Sequence, residues 1–259
     1  MPQLAFSHPD RPKTEFRPLK AWHHFRKLIA DKEDTEQVFH IIAALRGRKF
    51  QIIARDFWQT PRGKDMLESK LRLVDLLDDH DSIKRLPQGT VGRAYVDFME
   101  REGLSAAGLE AEYARFEDAS TNYDDVLTRY GDRLRDTHDM LHILTGYGRD
   151  ALGEQCVLAF TYAQNRNLGV GFIAYAGGLE LKYRVAKNAP ILKAVHEGYR
   201  IGNAAKNIVH EDIAALLREP LADARKRLGI AEPVVYRAAH EAMRSGGIDP
   251  YNLLAPAAA

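Results

Sequence analysis

The chain has 259 residues, 45% of them hydrophobic, and its 37 Lys and Arg balance 36 Asp and Glu to a formal net charge of +1. That length and apolar content suffice for one large domain with a real core, and the near-neutral balance excludes a global field that would draw nucleic acid. The single cysteine, Cys156, excludes an internal disulfide framework and any cysteine-rich zinc module.

In chain order, residues 1–17 carry three of the eleven prolines and no periodicity, and read as an extended N-terminal arm. From residue 18 onward the apolar residues recur at spacings of three and four. This predicts helices over 18–30, 34–45, 48–56, 63–70 and 90–101, with Ser105 as an N-cap for another. Strict alternation, β-branched density and Asn-Gly or Asp-Gly hairpin signals are missing, so the expected class is all-α. Nothing resembles a long linker or a repeat, and residues 18–259 are taken as one multi-helix domain. No apolar run approaches the length of roughly 18 residues needed to span a bilayer, and "MPQLAFSHPDRPKTEF" shows neither a signal-peptide nor a transit-peptide pattern. The expectation is a soluble protein made where it works.

The stretch "TNYDDVLTRYGDRLRDTHDMLHILTG" predicts one amphipathic helix capped by Asn122, with Asp124 and Asp125 in its first turn and its end at Gly146. On it His138, Asp139 and His142 lie close enough in angle to converge, with Arg135 on the same flank as a candidate contact for a substrate carboxylate. Were the helix to continue, Glu154 would stand roughly 18 Å beyond His142, far outside metal-bond range. The glycines 146, 148 and 153 therefore predict a reversal, with Asp150 capping a second helix that returns Glu154 to the histidines. Two nitrogens and two carboxylates suit Zn²⁺, and also Fe²⁺ or Mn²⁺ with open positions. The other histidines, including His210 and His240, have no such neighbourhood and are read as ordinary.

Further along, "LGVGFIAYAGGLEL" is apolar nearly all round yet too short to cross a bilayer. Its glycines predict tight helix packing or, as the functional alternative, a groove for an apolar chain, with Gly171, Tyr175, Lys182 and Arg184 as the candidate lipid contacts. Small residues at 198, 202, 204 and 205 predict close helix approach, with a homodimer contact as one use.

"HDMLHILTGYGRDALGE" fits position by position the pattern His-Asp-x-x-His-x3-Gly-x6-Gly-Glu, read as His138-Asp139, His142, Gly146 and Gly153-Glu154, and it resembles the ubiquinone-biosynthesis proteins of the Coq-four family. The likeness extends to "RPLKAWHHFRKLIADKEDTEQVF", "GRAYVDFMEREGLS" and "PLADARKRLGI". It implies an all-helical fold and a divalent metal, usually zinc, on His138, Asp139, His142 and Glu154. It also implies action at a membrane surface on a polyprenylated aromatic quinone precursor, alongside other quinone-biosynthesis enzymes. The implied activity is oxidative decarboxylation, replacing a ring carboxylate at C1 by a hydroxyl; the alternative is a lipid-binding scaffold. The lack of a transit-peptide pattern leads to an expected place in a bacterial cytoplasm, peripheral on the inner membrane, with the matrix side of the mitochondrial inner membrane as the alternative. A phosphohydrolase of the His-Asp superfamily is a weaker reading, because no matching earlier His and later Asp accompany the pair.

Overall fold

The computed structural model describes residues 4–11, 15–31, 34, 36–45, 47–69, 72–115, 123–185 and 187–253. Among them there is no strand. The helices are α1 (Pro18–Ala30), α2 (Glu36–Ala44), α3 (Arg48–Gln59), α4 (Pro61–Glu68), α5 (Leu73–Asp78), α6 (His80–Ile83), α7 (Val91–Glu102) and α8 (Ala106–Arg115). They continue with α9 (Val126–Asp136), α10 (His138–Thr145), α11 (Ala151–Asn165), α12 (Leu168–Arg184), α13 (Ile191–Ala204), α14 (Ile213–Leu216), α15 (Leu221–Leu228) and α16 (Val234–Ser245). The all-α reading holds, and the capping hydroxyl of Ser105 accepts from the Gly108 N–H at 3.0 Å as its spacing predicts.

The predicted helix ending at Gly146 is two helices. Asn122 lies outside the described residues, and the helix begins at Val126 with Asp125 as its N-cap, accepting from the Thr128 N–H at 2.8 Å. At Thr137 (φ −88°, ψ −1°) the chain leaves the helix, and the Thr137 hydroxyl donates to the Arg133 carbonyl at 2.8 Å. A threonine that bonds back into the preceding turn competes with helix propagation and bends it. The break lets one apolar stripe serve two cores. Val126, Leu127 and Tyr130 pack with Ala54, Phe57 and Trp58 of α3, whereas Leu141 and Leu144 join the main core with Phe98, Leu152 and Phe160.

At the centre α11 packs against α12 and α13. A Cβ on Gly198 would lie 2.4 Å from the Cys156 carbonyl oxygen, and one on Gly202 2.5 Å from that of Phe160. Only a residue without a side chain lets α13 approach α11 so closely. The small-residue face that the sequence offered to a dimer contact is thus used inside the chain. The N-terminal segment is not helical over residues 4–11 and lies on α9. Arg11 grips Asp125 through two hydrogen bonds of 2.6 and 2.7 Å, and the Ala5 carbonyl accepts from the Val126 N–H at 3.0 Å.

Candidate metal centre

Three local decisions of the chain build the site. First, α10 stops at Gly146, which takes the left-handed conformation (φ 77°) that glycine tolerates best. Its last carbonyls do not go unpartnered: Arg225 of α15 donates to the Leu144 carbonyl at 2.9 Å and to the Ile143 carbonyl at 2.8 Å. Second, Asp150 caps α11, its Oδ1 accepting from the N–H groups of Leu152 (3.1 Å) and Gly153 (3.2 Å). Third, α11 turns back tightly against the loop before it. A Cβ at Gly153 would stand 1.9 Å from the Gly148 carbonyl oxygen, so space fixes this glycine, and of the three glycines only Gly146 has a positive φ.

The reversal carries Glu154 to the histidines. Its two carboxylate oxygens lie 3.5 Å from His138 Nε2 and 3.5 Å from His142 Nε2. Ligand atoms of His138, Asp139 and His142 lie within 4.8 Å of one another. Metal bonds of about 2.0–2.2 Å arranged tetrahedrally set their donor atoms roughly 3.3–3.6 Å apart, so the imidazole–carboxylate spacings match donors that share one small cation. His138, Asp139 and His142 form one group, and Glu154 stands against its two imidazoles rather than within that three-residue group.

His142 tests the fit most directly. Its side chain is wholly buried and stacks on Phe98, ring centroids 5.6 Å apart. Its Nδ1 lies 3.1 Å from the Tyr147 carbonyl, a partner that fixes the proton on Nδ1 and turns the lone pair of Nε2 into the cluster. That Nε2 is buried and has no hydrogen-bond partner among the described residues. A buried polar atom left without a partner costs about 1–3 kcal/mol, and a cation between the imidazoles and the carboxylates removes that cost. Burial pushes the Glu154 carboxyl up, yet the His142 and His138 imidazoles outweigh it and hold this group well below the usual carboxylate range. Burial likewise opposes charge on His142, and Glu154 and then Asp139 overcome it to raise this imidazole. The residues fit a divalent metal.

Arg135, the expected carboxylate contact, lines the same cavity but is already held by carboxylates. It donates to Asp132 at 3.0 Å and to Asp136 at 2.9 Å. Burial raises the Asp136 carboxyl to about 6 even with Arg135 beside it.

The cluster faces a cavity of about 680 Å³ whose walls are largely apolar: Phe25 and Leu28 of α1, Val38 and Ile42 of α2, Leu134 of α9, and Val170, Ile173 and Leu181 of α12. His138, Asp139 and Glu154 form part of the same wall. The cavity uses α12, but by another face than expected. Gly171 packs on Tyr162, and Tyr175 bonds His196 at 3.1 Å. Lys182 is exposed, and Arg184 pairs with Glu180 at 3.6 Å. None of these four lines the cavity. A helix apolar nearly all round gives periodicity no face to choose.

Residues that the sequence did not single out support the site. The Tyr236 hydroxyl donates to Asp150 Oδ2 and accepts from the Gly148 N–H at 2.9 Å, while His240 Nε2 lies 3.0 Å from Asp150 Oδ1. They come from α16, some 90 residues after the loop they hold, and no local signal marks them. Arg149 also stands at the cluster, its Nε 3.7 Å from Glu154 Oε1, and its place directly before the cap Asp150 was the available cue.

Fold and site together define an all-helical protein with a two-histidine, two-carboxylate cluster set in the wall of an apolar chamber. The chain belongs to the family described as coenzyme Q (ubiquinone) biosynthesis protein Coq4, whose model matches residues 29–234. It is 30% identical over 187 residues to the mitochondrial ubiquinone biosynthesis protein COQ4 of Pyricularia oryzae, covering 71% of this chain and 58% of that one. With the protein of the same name from Scheffersomyces stipitis the identity is 26% over 233 residues, covering 88% and 62%. The chain thus spans about three fifths of the length of these relatives. Its fold is similar to the crystal structure of a protein described as a candidate for ubiquinone biosynthesis from Nostoc punctiforme PCC 73102, with a TM-score of 0.57, 20% identity, and coverage of 84% of this chain and all of the other. No helix among the described residues is long and apolar enough to cross a membrane.

Proposed function

We propose that the protein acts in ubiquinone biosynthesis as a metal-dependent enzyme that removes the C1 carboxylate of a polyprenylated hydroxybenzoate-type ring and leaves a hydroxyl in its place. The observation that carries this reading is the meeting of an ion-ready cluster with an apolar cavity: one ligand needs both, a polar head group at His138, Asp139, His142 and Glu154 and a prenyl tail along α1, α2 and α12.

A divalent cation held by these four residues, zinc by its donor set and Fe²⁺ or Mn²⁺ as alternatives, supplies Lewis acidity toward an oxygen of the ring. The chain's own contributions follow from its geometry. Tyr147 keeps the His142 proton on Nδ1, the apolar walls exclude water from the head group, and Glu154 bridges the two imidazoles. Exchange of a carboxylate for a hydroxyl releases carbon dioxide and removes two electrons from the ring, which an external oxidant such as dioxygen accepts.

Entry from a lipid surface suits this substrate. On α1 Leu19 (84% exposed) and Trp22 (52%) face solvent, with Phe16 (65%) just before the helix. The helix sequence PLKAWHHFRKLIA contains no acidic residue, and Arg17 and Lys20 line the cavity beside it. Exposed aromatic and aliphatic side chains among cations are the composition of a surface that binds anionic lipid.

The scaffold reading has one observation in its favour: four protein donors can close a tetrahedral sphere, whereas catalytic zinc keeps a position open. Against it, the side chains of His138 and Glu154 are 26% and 24% exposed, so the cluster remains accessible. The deciding experiment profiles quinone precursors in cells lacking the protein, complemented by wild type or by His142→Ala. Accumulation of a carboxylated ring in both the deletion and the His142→Ala strain supports the enzyme. Normal quinone production with a metal-free His142→Ala protein refutes it.

A further inference from the structure

We infer that Arg149 is the residue that recognises an anionic head group in the cavity, a carboxylate on an apolar-tailed aromatic ring. The inference rests on the substrate reading above and assigns to that site a binding residue that the quartet of candidate ligands does not include.

Position comes first. Arg149 lines the cavity together with His138, Asp139 and Glu154, and its side chain is 36% exposed, so its guanidinium is reachable from the chamber. Its Nε stands 3.7 Å from Glu154 Oε1, beyond the hydrogen-bond range of about 2.7–3.2 Å. Among the described residues this guanidinium donates no hydrogen bond to another group, although it carries five N–H donors.

The other arginines of the cavity wall differ. Arg135 is held by Asp132 and Asp136, Arg11 by Asp125, and Arg17 by Glu15 at 2.6 Å. Each of those charges is matched by a carboxylate in direct hydrogen-bond contact. Among the described residues Arg149 pairs with Glu154 alone, and it shares that carboxylate with two imidazoles.

Charge accounting gives the class of ligand. At the cluster itself Asp139 and Glu154 contribute two negative charges, which a divalent cation would cancel, and Arg149 beside them then leaves one local positive charge at the chamber wall. An uncompensated charge in such a setting is costly, and a single anionic group on the incoming ligand compensates it. The planar guanidinium is suited to grip a carboxylate through two parallel N–H···O bonds.

The test compares two probes with the same long alkyl tail, a 3-alkyl-4-hydroxybenzoate and the 2-alkylphenol that is its decarboxylated counterpart, binding to full-length protein in detergent micelles. Wild type is expected to prefer the hydroxybenzoate by about 10- to 100-fold, the range of a charge-assisted hydrogen-bonded pair. Arg149→Ala should lose that preference through weaker hydroxybenzoate binding alone, with phenol affinity and metal content by mass spectrometry unchanged, and Arg149→Lys should recover part of it. An Arg149→Ala protein that keeps the preference, or that loses both ligands or its metal, overturns the inference. Wild type that binds both probes equally overturns the inference and leaves the substrate reading in place. Wild type that binds neither refutes the substrate reading and takes the inference with it.

Discussion

Tyr236→Phe removes one oxygen atom and tests whether the loop between α10 and α11 sets the metal centre. Tyr236 is 5% exposed, and its hydroxyl links Asp150, which is fully buried, to the Gly148 N–H at 2.9 Å. Without it Asp150 Oδ2 loses its donor, while Oδ1 keeps His240 and the first amides of α11. The lost bond to a charged acceptor costs about 1.5–3 kcal/mol, and the orphaned Gly148 N–H about 1–3 kcal/mol more. A total near 3–5 kcal/mol is a large part of the stability of an ordinary domain and lowers Tm by roughly 6–10 °C for a chain of this size. The second effect is the diagnostic one. Gly148 adjoins Tyr147, whose carbonyl holds His142 Nδ1 at 3.1 Å, so slack in the loop frees the imidazole to turn. Loss of such a supporting contact weakens metal binding about 10- to 100-fold. Affinity is measured by competition with a chromophoric chelator well below Tm. Tyr130→Phe serves as the control: it deletes another buried tyrosine hydrogen bond, 2.8 Å to Asn165 Oδ1, away from the loop. If Tyr236→Phe is destabilised yet binds metal like wild type, the loop does not orient His142 and the argument fails.

Gly153→Ala is expected to destroy the site, because its Cβ would sit 1.9 Å from the Gly148 carbonyl oxygen; purified variant should contain little metal, and wild-type metal content would refute the packing argument. Burial, with Arg133 second, pushes His210 down to about 4 from its ordinary 6.5 where it stacks on Phe57. The unfolded chain therefore takes up the proton first, and stability falls as pH drops from 6.5 toward about 4. The contribution is about 2 kcal/mol once partial solvent screening is allowed for. Denaturant titrations of wild type and His210→Gln across that window should show the extra loss in wild type alone; parallel curves would contradict it. Leu19→Glu with Trp22→Glu should lower binding to vesicles rich in anionic lipid by tenfold or more, since each buried side chain contributes about 1.5–3 kcal/mol. Unchanged flotation of this double variant with vesicles would remove α1 from the lipid surface.

The sequence was informative where structure is decided locally. Asp150 before an apolar helical run, Gly146 after one, and the twelve-residue offset between His142 and Glu154 required a reversal, and the structure contains it. Choices made over long distances were not visible. Arg225 supports α10 from 81 and 82 residues away, and the residues that secure Asp150 come from α16. The face of α12 that meets the cavity could not be read from a segment apolar on all sides. The helix break was open to inference: Thr137 follows Arg133 by four residues, the spacing at which a threonine hydroxyl reaches back to a carbonyl. Arg135 carried a cue as well, with Asp132 at i−3 and Asp136 adjacent, both placed to claim its charge.

The two arginines separate stability from recognition within one short stretch of chain. Arg135 lies among carboxylates on α9, where an incoming anion would have to displace Asp132 and Asp136 and leave them unpaired in a site where burial already raises both. That exchange is unfavourable, since it replaces formed charge-assisted bonds by others of the same kind. Arg149 has no such bond to give up, and the reversal that returns Glu154 also sets this guanidinium beside the cluster. A single turn, closed by Gly146 and capped by Asp150, therefore delivers both the fourth oxygen donor and the cation for an anionic head group. It follows that substitutions loosening this turn should impair metal affinity and carboxylate preference together, whereas substitutions on α9 should affect folding first.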